Sequence, residues 1–119
     1  MIIGIGNDII EHYRIERACR RDAFLSYTYT EKEMELIRKN MKHAAGNWCV
    51  KEAVAKVLGT GFNGIGIKEI EVLRDESGKP YVRLYGKAEK RAEELGIKKI
   101  FVSISDTKEY VTAVAIAEG

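Results

Sequence analysis

The chain opens on a short β-branched run, Ile2 to Ile5, broken by Gly4 and Gly6, which predicts a buried strand entering a helix after Asn7 or Asp8. From Ile9 to about Arg21 the apolar residues Ile9, Tyr13 and Ile15 are mixed with Arg14, Arg17, Arg20 and Arg21, the pattern of a helix with one basic side. Arg14, Arg17 and Arg21 share that side. Thr30 followed by Glu33 fits a capping box, so a second helix starts there and ends near Asn40. A third, longer helix is predicted from about Lys42 to Leu58, stopped by Gly59, Thr60 and Gly61.

The period then changes. Ile67 to Leu73 alternates as a strand, Asp75-Glu76-Ser77-Gly78 supplies a turn, and Tyr81 to Tyr85 returns as its hairpin partner, with Pro80 beside the turn where a missing donor is tolerated. Gly86 to Leu95 reads as a helix with Gly96 in the C′ position. Ile100 to Ser105 and Tyr110 to Ala117 form a second hairpin through Asp106-Thr107-Lys108-Glu109. With no repeat, low-complexity stretch or linker, residues 1–119 form one α+β domain with a mostly antiparallel sheet and one long central helix.

Composition narrows the classes. An apolar content of 45% with 32% charged residues is that of a soluble globular chain, and a net charge of +2 gives no global reason to expect nucleic acid. The apolar N-terminus is short and interrupted by Asp8, so it is neither a membrane span nor a signal peptide. Cys19 and Cys49 lie too far apart for a zinc pattern and read as buried thiols in a reducing cytoplasm.

The stretch Trp48 to Gly61 carries the candidate chemistry. Glu52 and Lys56, four residues apart, project from one helical face, where a carboxylate can hold a metal while an ammonium holds an anion. The same pair also fits an ordinary surface ion pair before a glycine helix stop. Asp8 is either a metal ligand or the N-cap of the first helix, and spacing alone favours the cap. As a ligand it needs a second carboxylate; Glu52 supplies one, with phosphate and water completing a magnesium shell. Gly4-Ile5-Gly6 is not a dinucleotide fingerprint, because the third glycine would fall at Ile9. The Gly59–Gly61 loop lacks the Gly-Lys-Ser/Thr ending of a phosphate loop. The arginine face is solvated surface or a dock for an acidic partner, and arginine without lysine tilts it toward recognition. His12 and His43 have no third partner in ligand or triad spacing and read as structural, as Trp48 and Tyr13 read as core.

Four ordered blocks, Gly4 to Ile15, Trp48 to Gly61, Asp75 to Pro80 and Ser103 to Tyr110, resemble the holo-acyl-carrier-protein synthases of the 4′-phosphopantetheinyl transferase family across nearly the whole chain. The resemblance implies that coenzyme A donates its phosphopantetheine arm to a serine of apo acyl-carrier protein for fatty-acid synthesis, leaving adenosine 3′,5′-bisphosphate. It implies a cytoplasmic homotrimer with sites between subunits. Asp8 and Glu52 would hold Mg2+ against the pyrophosphate, Lys56 would contact the same phosphates, and Glu52 would act as base through a water. Gly59, Thr60, Gly61, Pro80, Asp106 and Thr107 would line the coenzyme A pocket, and Arg14, Arg17 and Arg21 would dock the carrier. Many members carry Arg where this chain has Asn47, near the coenzyme A 3′-phosphate, with Lys42 or His43 placed to compensate. Many also carry His where this chain has Asp106. The rival readings are a coenzyme A-binding paralogue without transferase activity and an arginine-faced module for acidic proteins or RNA.

Overall fold

The computed structural model describes residues 1–119 and orders them as β1 (Ile2–Glu11), α1 (His12–Ala18), α2 (Asp22–Thr28), α3 (Glu31–Lys39) and α4 (Lys42–Leu58), followed by a 3₁₀ turn (Ile67–Glu69), β2 (Ile70–Arg74), β3 (Pro80–Leu84), α5 (Gly86–Glu94), β4 (Lys99–Asp106) and β5 (Tyr110–Glu118). The strands form an antiparallel sheet in the order β1-β5-β4 and a separate β2-β3 hairpin, and α4 lies across the inner face of the larger sheet. This is the expected α+β domain with one long central helix.

The close approach of α4 follows from small residues. Val111, Ala113, Ala115 and Ala117 of β5 face inward and are buried, and β1 contributes Gly4 and Gly6. A Cβ on Gly6 would stand 2.0 Å from the Ala53 carbonyl oxygen, so no other residue fits there without moving the helix. The alternate residues face outward in three rows, Ile5-Ile116-Phe101, Asn7-Val114-Ser103 and Ile9-Thr112-Ser105. Ile5 and Ile9 are more than half exposed and Phe101 is 42% exposed, so this face is an apolar surface.

Between α3, α4 and β2 lies a buried polar knot. Glu33, Asn47 and Lys51 are fully buried. Glu33 accepts from Lys51 Nζ (2.8 Å), the Thr30 amide (3.1 Å), Asn47 Nδ2 (2.9 Å) and the Val72 amide (3.4 Å). Lys51 spends its three protons on Glu33 and the carbonyls of Ile67 and Ile70. Burial pulls Lys51 below the usual ammonium range, and the Glu33 carboxylate opposes that shift. Thr30 closes the capping box expected from sequence.

The N-terminal third departs from the expected boundaries. β1 continues to Glu11, so Asp8 sits within a strand opposite Ala113 and is not a helix cap. The helix expected from Ile9 to about Arg21 is shorter, because β1 takes its first residues: α1 spans only His12–Ala18 and a turn follows at Cys19–Arg21, while α2 is a further helix that the sequence pattern did not predict. Tyr13 is exposed and not core, whereas Trp48 packs on Phe24 at 5.7 Å between ring centroids. The first residues of the expected strand Ile67 to Leu73 form the 3₁₀ turn, and Asp106 ends β4 instead of starting the connecting turn. Both cysteines are free and buried, and no helix is long and apolar enough to cross a membrane.

Removing one member of the buried pair leaves an uncompensated charge. Lys51→Met is expected to destabilise the fold by about 3–5 kcal/mol, and Glu33→Gln combined with Lys51→Met to recover part of that loss. Urea denaturation of the three proteins checks it, and a single variant as stable as wild type contradicts it.

Candidate functional site

The inward face of β1 repeats every second residue, so the glycines that admit α4 also aim Asp8 at it. On α4, Glu52 follows Lys51 by one residue and therefore points about 100° away from the buried knot, toward β1. Asp8 and Glu52 are close enough that their charges oppose each other. Partial burial and the Asp8 charge hold the Glu52 carboxyl above its usual range, against the opposite pull of the Lys56 charge. Burial and the same two carboxylates push the Cys49 thiol beneath them up to about 12.

Lys56 does not close a simple i,i+4 ion pair with Glu52. Its Nζ donates to the Asn7 carbonyl at 2.7 Å and stands 3.7 Å from Asp8 Oδ1, tying the last turn of α4 to β1. The Lys56 side chain stays 53% exposed and that of Asp8 20%, so both remain open to a ligand. Three of the expected site residues thus meet where α4 passes β1: two hard carboxylate donors with an ammonium beside them. No third His, Cys, Asp or Glu completes a closed metal cage. Two carboxylates with free positions left for phosphate and water fit magnesium.

At the end of α4, Gly59 and Gly61 adopt left-handed conformations (φ 77° and 56°), and the Thr60 hydroxyl donates to the Gly61 carbonyl at 3.2 Å. Arg91 of α5, not singled out by sequence, donates to the Leu58 carbonyl beside this loop. Pro80 and Asp106 lie elsewhere, lining a cavity of about 290 Å³ with Lys42, His43 and Gly46 at the opposite end of α4. The helix separates the two groups by about 18 Å along its axis. Thr107 is used by the turn, its hydroxyl oxygen accepting from the Glu109 and Tyr110 amides. Asn47 faces the buried knot, so it carries no group to this cavity. Arg14, Arg17 and Arg21 do converge, with Arg20, around a shallow exposed hollow.

These features define a class: an α+β protein whose strand carboxylate, helix carboxylate and lysine meet at a partly exposed junction of strand and helix, a donor set that fits a metal and phosphate. The chain belongs to the 4′-phosphopantetheinyl transferase superfamily, whose family model matches residues 4–115. The holo-(acyl-carrier-protein) synthase of Lachnoclostridium phytofermentans is 53% identical over 118 residues, covering 99% of this chain and 97% of that relative. The crystal structure of the Neisseria meningitidis holo-(acyl-carrier-protein) synthase superposes with a TM-score of 0.90 at 33% identity over the full length of both chains. That of the Bacillus anthracis synthase, in complex with coenzyme A (3′,5′-ADP), gives 0.83 at 32% identity, covering 100% and 98%.

The raised Glu52 carboxyl fixes a sign. A carboxyl favoured in its protonated form by folding contributes stability that is lost as pH rises through its folded titration range. Without metal, Glu52→Gln is therefore expected to melt higher than wild type at neutral pH, with the difference vanishing below the ordinary glutamate range. Magnesium should raise the melting temperature of wild type more than that of the variant. Equal responses to magnesium contradict the ligand assignment.

Proposed function

We propose that the chain transfers 4′-phosphopantetheine from coenzyme A to a serine of apo acyl-carrier protein, in support of fatty-acid biosynthesis. The observation that carries this reading is the convergence of Asp8, Glu52 and Lys56 where α4 passes β1, inside a fold that matches the synthases end to end. Retention of all three disfavours a paralogue that only binds coenzyme A.

Asp8 and Glu52 would hold magnesium, which when bound offsets phosphate charge and polarises the phosphorus under attack. Lys56, anchored on the Asn7 carbonyl, presents its ammonium to the same diphosphate and steadies the negative charge that develops on the leaving group. Glu52 takes the serine proton through an intervening water. The serine oxygen then bonds to the phosphorus of the phosphopantetheine, the bridging P–O bond breaks, and adenosine 3′,5′-bisphosphate departs. Gly59, Thr60 and Gly61 border the substrate one turn beyond Lys56, and Pro80, Asp106 and Thr107 contribute from the other end of α4.

That separation, together with the apolar outer face of the sheet, supports a homotrimer whose complete sites lie between subunits. The free buried thiols fit a reducing cytoplasm. Arg17, Arg20 and Arg21 have no carboxylate within ion-pair distance, and Arg14 has only an exposed contact with Glu11 at 3.6 Å. Four open guanidinium groups suit the acidic helix of a carrier protein, an attraction that salt weakens.

Incubation with apo carrier protein, coenzyme A and magnesium is expected to add one phosphopantetheine to the carrier, read by mass. Glu52→Gln should lose most turnover even at saturating magnesium; near-normal turnover would sink its role as base. Arg14→Glu should raise the carrier KM more than the coenzyme A KM, and equal rises count against the docking face. Light scattering tests the assembly, and the mass of a single chain contradicts it.

A further inference from the structure

The cavity at the N-terminal end of α4 holds cationic groups that the fold itself does not use. Arg74 ends β2 and leans over Gly46, where a Cβ would stand 3.7 Å from its Nη2. Its hydrogen bond is to the neighbouring Leu73 carbonyl at 3.3 Å. The carboxylate that attracts it, Glu33, is already taken by Lys51 and Asn47. Lys42 and His43, from the first turn of α4, line the same cavity.

Asp106 is the carboxylate of this wall, and His12 stands against it. The His12 side chain is 8% exposed, neither ring nitrogen has a well-aligned hydrogen-bond partner, and Nε2 lies 3.3 Å from Asp106 Oδ2. The buried ring thus covers one side of the carboxylate. Beside Asp106 the cavity is lined by a guanidinium with open N–H groups, an ammonium and a second imidazole. A planar fork of that kind matches the oxygens of a phosphate, and a dianionic monoester gains most from it.

We propose that Arg74 is a specificity-determining residue of the transfer reaction, gripping the phosphate monoester on the donor's ribose with Lys42 and His43 beside it. The assignment rests on the coenzyme A reading: coenzyme A carries a ribose monoester besides the diphosphate that falls to Asp8, Glu52 and Lys56. In this chain the recognising charge comes from β2. Position 47 of α4, where the resemblance expected it, is committed to the core.

Calorimetric titration of the whole protein with adenosine 3′,5′-bisphosphate and with adenosine 5′-monophosphate reads binding whether or not transfer occurs. Wild type is expected to prefer the bisphosphate by about tenfold or more, Arg74→Met to bring the ratio near one, and Arg74→Lys to keep part of it. Asp106→Asn, which removes the opposing charge, should tighten the bisphosphate. In the transfer assay Arg74→Met should raise the KM for coenzyme A while leaving kcat, and the KM for 3′-dephospho-coenzyme A, unchanged. An unaltered ratio in a folded Arg74→Met, equal losses for both donors, or a wild type that binds both nucleotides alike overturns the assignment. Selective nucleotide binding that depends on Arg74, without any transfer, supports it and overturns the transferase reading instead.

Discussion

The buried contact between Glu33 and Lys51 is the constraint on which the rest of the molecule is built. A carboxylate with four donors and an ammonium with three acceptors, both out of reach of water, leave α4 one admissible rotation about its axis. Any other phase would strand an ion in the core, at a cost far larger than a turn of helix can return. The knot also joins three elements distant in sequence: the start of α3, the middle of α4 and the hairpin strand β2. Asn47 adds its amide to Glu33 and to the Val72 carbonyl, so the same face of α4 is fixed over more than one turn.

With Lys51 inward, Glu52 is turned toward β1, and the glycines of β1 decide how near that strand comes. Gly6 allows the Ala53 carbonyl to lie where a side chain would stand, and Asp8, two residues on, then faces the same helix. The cost is mutual repulsion between two carboxylates, visible in the raised Glu52 carboxyl, and Lys56 only partly relieves it. Such an arrangement stores a preference for a cation. That repulsion is the physical basis of the magnesium site proposed above, since a divalent ion between the carboxylates would relieve it.

The two faces of the larger sheet divide the remaining work. The inner face is lined with alanine and glycine because a helix must lie flat on it. The outer face carries Ile5, Ile9, Ile116, Val114 and Phe101 in register across three strands, more apolar surface than an isolated chain of this size needs to expose. Charge is segregated as well: arginines gather around the α1–α2 turn, and a second cationic group gathers around Gly46.

Local rules made much of the fold legible. The Thr30–Glu33 box, the Gly59 stop, the Asp75–Gly78 turn and Gly96 after α5 are each determined by contacts within a few residues, and the structure places all four as expected. The end of β1 was not legible, because a polar Asp8 after an apolar run has the signature of a helix cap when its partners across the sheet are unseen. Nor does any spacing reveal that Asn47 and Lys51 turn inward. Their partner Glu33 is 14 and 18 residues away, and a buried polar side chain differs from a surface one only by the company it keeps. The sequence by itself determined most of the element types and put Asp8, Glu52 and Lys56 forward as candidates for metal and phosphate. Which side chains meet, Lys56 with Asp8 and Arg74 over Gly46, a residue pair no spacing had pointed to, was decided by tertiary packing, since it depends on the rotation and approach of α4 and not on any local propensity.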